Sequence, residues 1–203
     1  MHGVIAACAG LALLVGVSPR ALGAGEFVID QDQPVAAVFL TVLGQPDLWQ
    51  SFQQSSDVIS GAGVFLYPGV GDRGTVRIEL WNGPPKADGG GTKGERLAFA
   101  DAAGVAGSWV DVFWTSVSAN PATTYFLVFE GMGQANDLGL AGAQFAYPRG
   151  EGYVRGMPFL GYDYTFRTYG PPVPEPTSAS LLLAGLLGLL AAAALRKRTA
   201  IAG

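Results

Sequence analysis

The sequence predicts an all-β protein, an antiparallel β-sandwich of about ten short strands between two non-globular ends. Three observations carry this. Runs rich in β-branched and aromatic residues alternate with turn clusters from Glu26 onward. Thirty glycines and thirteen prolines supply many turns. No stretch between residues 24 and 170 shows the 3.6-residue apolar period of an amphipathic helix.

The strands are expected near Phe27–Asp30, Ala36–Val42, Trp49–Gln53, Val58–Tyr67, Thr75–Trp81, Arg96–Ala100, Ser108–Ser116, Thr123–Phe129, Leu138–Phe145 and Tyr162–Tyr169. Alternation is clearest in Thr75–Trp81, where Val76, Ile78 and Leu80 face a core while Arg77 and Glu79 face out. The glycine- and proline-rich stretch Asn82–Gly94 then forms a loop. The two apolar limbs WVDVFW (109–114) and TTYFLVF (123–129) read as a core hairpin of central strands, apolar on both faces.

Residues 1–23 have the pattern of a secretory signal peptide. An apolar run spans Val4–Val17, and small residues at Ala21 and Gly23 place cleavage before Ala24. An uncleaved N-terminal anchor is the alternative. Cys8, the only cysteine, lies inside this segment, so residues 24–170 have no disulfide, thiol nucleophile or cysteine-ligated metal.

The whole chain carries net charge −4. The ends hold Arg20, Arg196, Lys197 and Arg198 but only one carboxylate, Glu175. Residues 24–170 therefore carry eight cations against fifteen carboxylates, a net of −7. An acidic domain without basic clusters argues against nucleic acid as partner.

Residues 171–203 are organised differently. Val173-Pro174-Glu175-Pro176 is stiff and non-helical, because each proline lacks an N–H and biases its predecessor toward extended backbone. Thr177–Leu195 is nineteen uncharged residues, rich in Leu, Ala and Gly. As a helix it is about 28 Å long, close to the hydrocarbon thickness of a bilayer. Arg196-Lys197-Arg198 then forms a basic stop that holds the C-terminus in the cytoplasm. On physics alone this is a single transmembrane anchor.

The order of these three features resembles the PEP-CTERM sorting signal of exopolysaccharide-producing Gram-negative bacteria. The resemblance implies that Val173, Pro174, Glu175 and Pro176 are the recognition and processing element for exosortase, a membrane enzyme. It implies too that the apolar helix is a transient anchor and Arg196–Arg198 its retention stop. Export through the Sec translocon, an inner-membrane precursor and a final place at the cell surface or in the extracellular matrix follow from it. Segments between Gln50 and Gly170 also resemble the jelly-roll ectodomains common among PEP-CTERM proteins, which bring no known active site.

Chemistry-bearing residues are sparse. The only histidine, His2, lies in the signal segment, which removes Ser-His-Asp catalysis and histidine acid–base work from the domain. Glu79, Asp111 and Glu130 lie on or at the ends of strands and read as solvated carboxylates rather than a glycosidase pair. Asp30 and Asp32 are the one place for a structural Ca²⁺, with a solvated turn as the alternative. No phosphate-cradling loop is present, since the Gly89–Gly91 run precedes no helix, and no cofactor is expected. Trp81, sharing the outward parity of Arg77 and Glu79, leads the candidates for stacking on a glycan. Trp114 and Tyr162 follow it, against core and edge packing as the alternative. The expected function is that of an exported, non-enzymatic envelope or matrix protein associated with exopolysaccharide. The alternative is a carbohydrate-binding module.

Overall fold

The computed structural model describes residues 27–86, 92–171 and 186–187. The expected signal peptide with Ala21, Gly23 and Ala24 lies outside the described residues, as do Val173–Pro176 and Arg196–Arg198. Leu186 and Leu187, within the expected apolar helix, are helical. Among the described residues no helix is long and apolar enough to cross a membrane.

The described residues of 27–86 and 92–171 form strands, with one short 3-10 turn. The strands are β1 (Ile29–Gln33), β2 (Val38–Val42), β3 (Trp49–Gln53), β4 (Val58–Phe65), β5 (Arg73–Trp81), β6 (Arg96–Val105) and β7 (Trp109–Ser118). After β8 (Thr124–Met132) comes one 3-10 turn, Gly133–Asp137. The chain closes with β9 (Gly139–Gln144), β10 (Gly152–Val154), β11 (Met157–Pro158), β12 (Tyr162–Tyr164) and β13 (Phe166–Tyr169).

All strand pairings are antiparallel. A six-stranded sheet runs β11-β10-β3-β8-β5-β6, a four-stranded sheet β1-β13-β4-β7 and a three-stranded sheet β12-β9-β2. The last two meet at Thr165. Its N–H bonds the Ala141 carbonyl while its own carbonyl accepts from Phe65 N–H, so the expected strand Tyr162–Tyr169 is two strands serving two sheets.

One core joins the layers. Phe52, Val76, Ile78, Leu80, Leu127 and Phe129 come from the six-stranded sheet. Ile59, Val64, Val110, Val112, Leu140 and Phe166 come from the other two. Each such side chain contributes about 1.5–3 kcal/mol when fully buried, which drives the face-to-face packing.

The expected hairpin of 109–129 is not one. β7 pairs only with β4 at the edge of the four-stranded sheet, whereas β8 lies centrally between β3 and β5. The connection, residues 119–123, carries the chain from one sheet to the other, and apolar content does not name a partner strand. β7 also alternates: Val110 and Val112 are buried while Trp109, Asp111 and Phe113 lie on the other face.

A second correction concerns Glu79. Expected as a solvated carboxylate, it is 3% exposed. The outer face of the six-stranded sheet is covered here by a second apolar cluster, Trp49, Phe126 and Val128, with Trp81 and Tyr153 packed against it. That cover also explains why β8 is apolar on both faces.

A cavity lined by Trp49 and Trp81

The outer face of β5 is set by one irregularity. Leu80 stands opposite Ala98 on β6, but Trp81 stands opposite Arg96, not Leu97. A one-residue slip exchanges the faces of the residues beyond it. Leu97 therefore packs against the core, and Arg96 reaches the outer face. There its guanidinium meets Glu79 Oε1 at 2.5 Å. Glu79 Oε2 accepts the Trp81 indole N–H at 2.8 Å. The buried carboxylate thus has a partner at each oxygen, as a charge in this position requires.

Trp49 opens β3 opposite Val128 on one side and Tyr153 on the other. Its ring centroid lies 5.5 Å from that of Tyr153. Trp49 is fully buried, and among the described residues its Nε1–H has no hydrogen-bond partner. Buried donors are rarely left so, because the loss of hydration costs about 1–3 kcal/mol.

Between Trp49, Trp81 and the Gly44–Leu48 segment lies a cavity of about 430 Å³. Asp47, Glu79, Glu130, Lys86 and Lys93 contribute to its lining. Lys86 is ion-paired with Asp47. The Lys93 ammonium lies 5.4 Å from the Trp81 ring centroid, over its face, and makes no salt bridge among the described residues. The Glu130 carboxylate makes no hydrogen bond or salt bridge among the described residues. Glu130 is exposed, but partial desolvation by its neighbours raises its pKa above the usual carboxylate value, and the nearby Glu79 charge adds to this.

The rim is held from β10 and β11. Arg155 (φ 54) and Gly156 (φ 73) form the two-residue turn between those strands, with the doubly left-handed backbone of a type I′ hairpin. Their N–H groups donate to the carbonyls of Pro46 (3.1 Å) and Asp47 (3.3 Å). The Arg155 guanidinium donates to Gln45 Oε1. The sequence reading missed this hairpin because Arg-Gly is a weaker turn signal than Asn-Gly.

The other expected site residues lie elsewhere. Trp114 packs against the core, donates its indole N–H to the Ile59 carbonyl at 3.1 Å and lines a separate groove with Phe99 and Phe113. Tyr162 is half-buried beside Phe159, with ring centroids 5.5 Å apart. Asp111 pairs with Arg167 and accepts from the Tyr169 hydroxyl at 2.8 Å on the outer face of the four-stranded sheet. Asp30 caps a turn, accepting from the N–H groups of Ser55 (2.8 Å) and Ser56 (3.0 Å). Asp32 is exposed, and no group of three or more His, Cys, Asp or Glu that could hold a metal occurs among the described residues.

The cavity combines an aromatic face with carboxylates and ammonium groups, which is binding chemistry. The sequence singled out Trp81 and named Glu79 and Glu130 as solvated carboxylates, but not their companions Asp47, Lys86 and Lys93. Phe126 and Val128, apolar at positions facing away from the core, were the signal that something covers this face.

The chain's destination is read at the other end. Residues 172–198 match the PEP-CTERM protein-sorting motif. The PEP-CTERM motif indicates an exported cell-surface protein processed by exosortase. The match spans Pro174-Glu175-Pro176 and closes on Arg196-Lys197-Arg198. No curated protein and no solved structure matches the chain, so the jelly-roll likeness of the ectodomain has no family or structural match behind it.

Proposed function

We propose that this PEP-CTERM protein is a non-enzymatic component of the cell envelope or extracellular matrix, associated with exopolysaccharide. The observation that carries it is the sorting motif at residues 172–198. On this reading the Sec system exports the chain and the apolar helix holds it in the inner membrane. Exosortase then cuts near Pro174–Pro176, and the all-β ectodomain passes to the surface. The acidic, histidine-free composition of residues 24–170 favours a structural or binding role over acid–base catalysis. Mass spectrometry of the C-terminus of the mature surface form in its own host tests this. A new end near Pro174–Pro176 is expected; an intact Ala200–Gly203 end overturns it and makes the helix a permanent anchor.

The cavity favours a second reading, a carbohydrate-binding module. Its volume of about 430 Å³ suits a small ligand group. An indole face flanked by carboxylates suits a sugar ring and its hydroxyls. Pull-down on host polysaccharide, lost in Trp81→Ala, supports this reading. Surface retention and binding that survive Trp81→Ala oppose it.

A further inference from the structure

We propose that β2 is the docking edge for a second copy of this chain, and that the two copies pair antiparallel about a twofold axis at Val38.

β2 ends the three-stranded sheet, with β9 on one side and no strand on the other among the described residues. Pro34–Phe39, which leads into the strand and opens it, is a run of consecutive exposed apolar residues. Val35 is 51% exposed and Phe39 42%. No charged residue lies between Asp32 and Asp47. An uncharged apolar edge is a template for another strand, and folded proteins ordinarily blunt it with charge, proline or shortness. The other edges here are blunted. β1 carries Asp30 and Asp32, β6 Arg96 and Asp101, and β7 Asp111. β11 is two residues ending on Pro158, and β12 is three residues long. β2 has none of these devices.

The edge is already ordered. The Val35 N–H donates to Gln33 Oε1 at 2.6 Å, and the Val35 carbonyl accepts from the Thr165 hydroxyl at 2.7 Å. The Phe39 ring meets Tyr67 edge-on, with centroids 5.8 Å apart. A strand that docks here therefore gains ladder bonds without first having to order this one.

The occupant is a second copy because the edge fits itself. Ala37 donates its N–H to the Gly142 carbonyl at 3.0 Å, on the β9 side. Strand residues alternate sides, so Val38 turns its N–H and C=O to the free edge. A twofold axis at Val38 lets each Val38 exchange both bonds with its counterpart. Ala37 of each copy then stands opposite Phe39 of the other, small against large. Residues 24–170 carry eight cations against fifteen carboxylates, so contact through charged faces sets like charge against like. This strip brings no charge to the contact.

Sedimentation of the full-length chain in detergent tests the pairing. Wild type should dimerise. Val38→Lys sets two ammonium groups face to face on the axis and should weaken the dimer at least about tenfold. A wild-type chain that stays monomeric up to about 100 μM overturns the proposal. So does a dimer that survives Val38→Lys in a variant whose thermal melt shows it folded.

Cross-linking tests the register without adding charge. Cys8 is the only cysteine, so both variants are made with Cys8→Ser. Val38→Cys sets the two Cα atoms about 5.5 Å apart in a hydrogen-bonded pair, within disulfide reach. Mild oxidation should join these copies. Val35→Cys lies six strand residues from its counterpart, about 20 Å, and should not cross-link. No cross-link in Val38→Cys, or equal cross-linking of both variants, overturns the pairing.

Discussion

The indole N–H of Trp81 donates to Glu79, two residues earlier on the same face of β5, at 2.8 Å. The bond ties the best stacking candidate to the most buried carboxylate of the outer face, and Arg96 locks that carboxylate from β6. Glu79→Ala leaves the Trp81 donor and the Arg96 charge without their acceptor. It should destabilise the domain by about 1–3 kcal/mol, less than a fully buried pair because Arg96 is partly exposed. Glu79→Gln keeps an acceptor for Trp81 and should cost less than half as much. Urea denaturation of both variants measures this. A Glu79→Ala chain within about 0.5 kcal/mol of wild type would show that water replaces the carboxylate freely.

On the opposite layer a glycine makes room for an ion pair. Arg167 on β13 and Asp111 on β7 meet across the intervening strand β4, and the Arg167 guanidinium also lies 4.1 Å from the Trp109 ring centroid. Gly63 stands between them in register with both. A Cβ there would lie 2.1 Å from Asp111 Oδ1 and 3.2 Å from Arg167 Cγ. Gly63→Ala should therefore break the pair and cost about 1–3 kcal/mol, although alanine suits a strand better than glycine. The loss should be partly recovered in Gly63→Ala combined with Asp111→Ala, which removes the clashing oxygen. A double-mutant cycle reads the coupling, and additive effects would mean that the pair and the glycine are independent.

Where the local pattern and the tertiary partner agree, the fold was legible. Val76, Ile78 and Leu80 face the core as their alternation predicts, and β3 spans Trp49–Gln53 as expected. Where a partner decides, it was not. β6 continues to Val105 through Ala102, Ala103 and Gly104, weak strand formers held by their register with β5. Gly74 was not read as strand, yet it lets β5 pass the 3-10 turn, where a Cβ would come within 2.4 Å of Ala135 Cβ. The parity of Glu79 was right but its solvation was wrong, because parity fixes the face and not what covers it. Trp81 was legible as an outward aromatic. The rest of its cavity is drawn from β3, β8 and two loops, and no single stretch of sequence juxtaposes these.

The Glu130 carboxyl gives the domain a pH signature. Partial desolvation and the Glu79 charge raise its folded-state pKa above the ordinary value of 4.5, while Arg77 and Arg96 oppose the shift and Asp101 adds weakly to it. Well below pH 4.5 the group is protonated in both states and contributes no difference. As pH rises, the unfolded chain releases the proton first, so this contribution to stability falls until the folded-state pKa is passed. Glu130→Gln removes the loss. Its melting temperature relative to wild type should rise as pH climbs above about 4 and level off once the folded-state pKa is passed. A constant or falling difference over that range would show that Glu130 is as well solvated in the fold as in the unfolded chain.

The Trp49 donor, without a partner among the described residues, sets two terms against each other. Truncating a buried tryptophan to phenylalanine loses packing, on the order of 1–2 kcal/mol when neighbours relax. The same change removes a buried N–H whose lost hydration costs about 1–3 kcal/mol. Trp49→Phe should therefore unfold within about 1 kcal/mol of wild type, whereas Trp49→Ala should lose about 3–5 kcal/mol, since the same relief is small against its larger void. The contrast is informative because the two variants share the lost donor and differ only in volume. Chemical denaturation of both reads it directly. A loss above about 3 kcal/mol in Trp49→Phe would mean that the indole N–H is satisfied in solution, by an acceptor that phenylalanine strands.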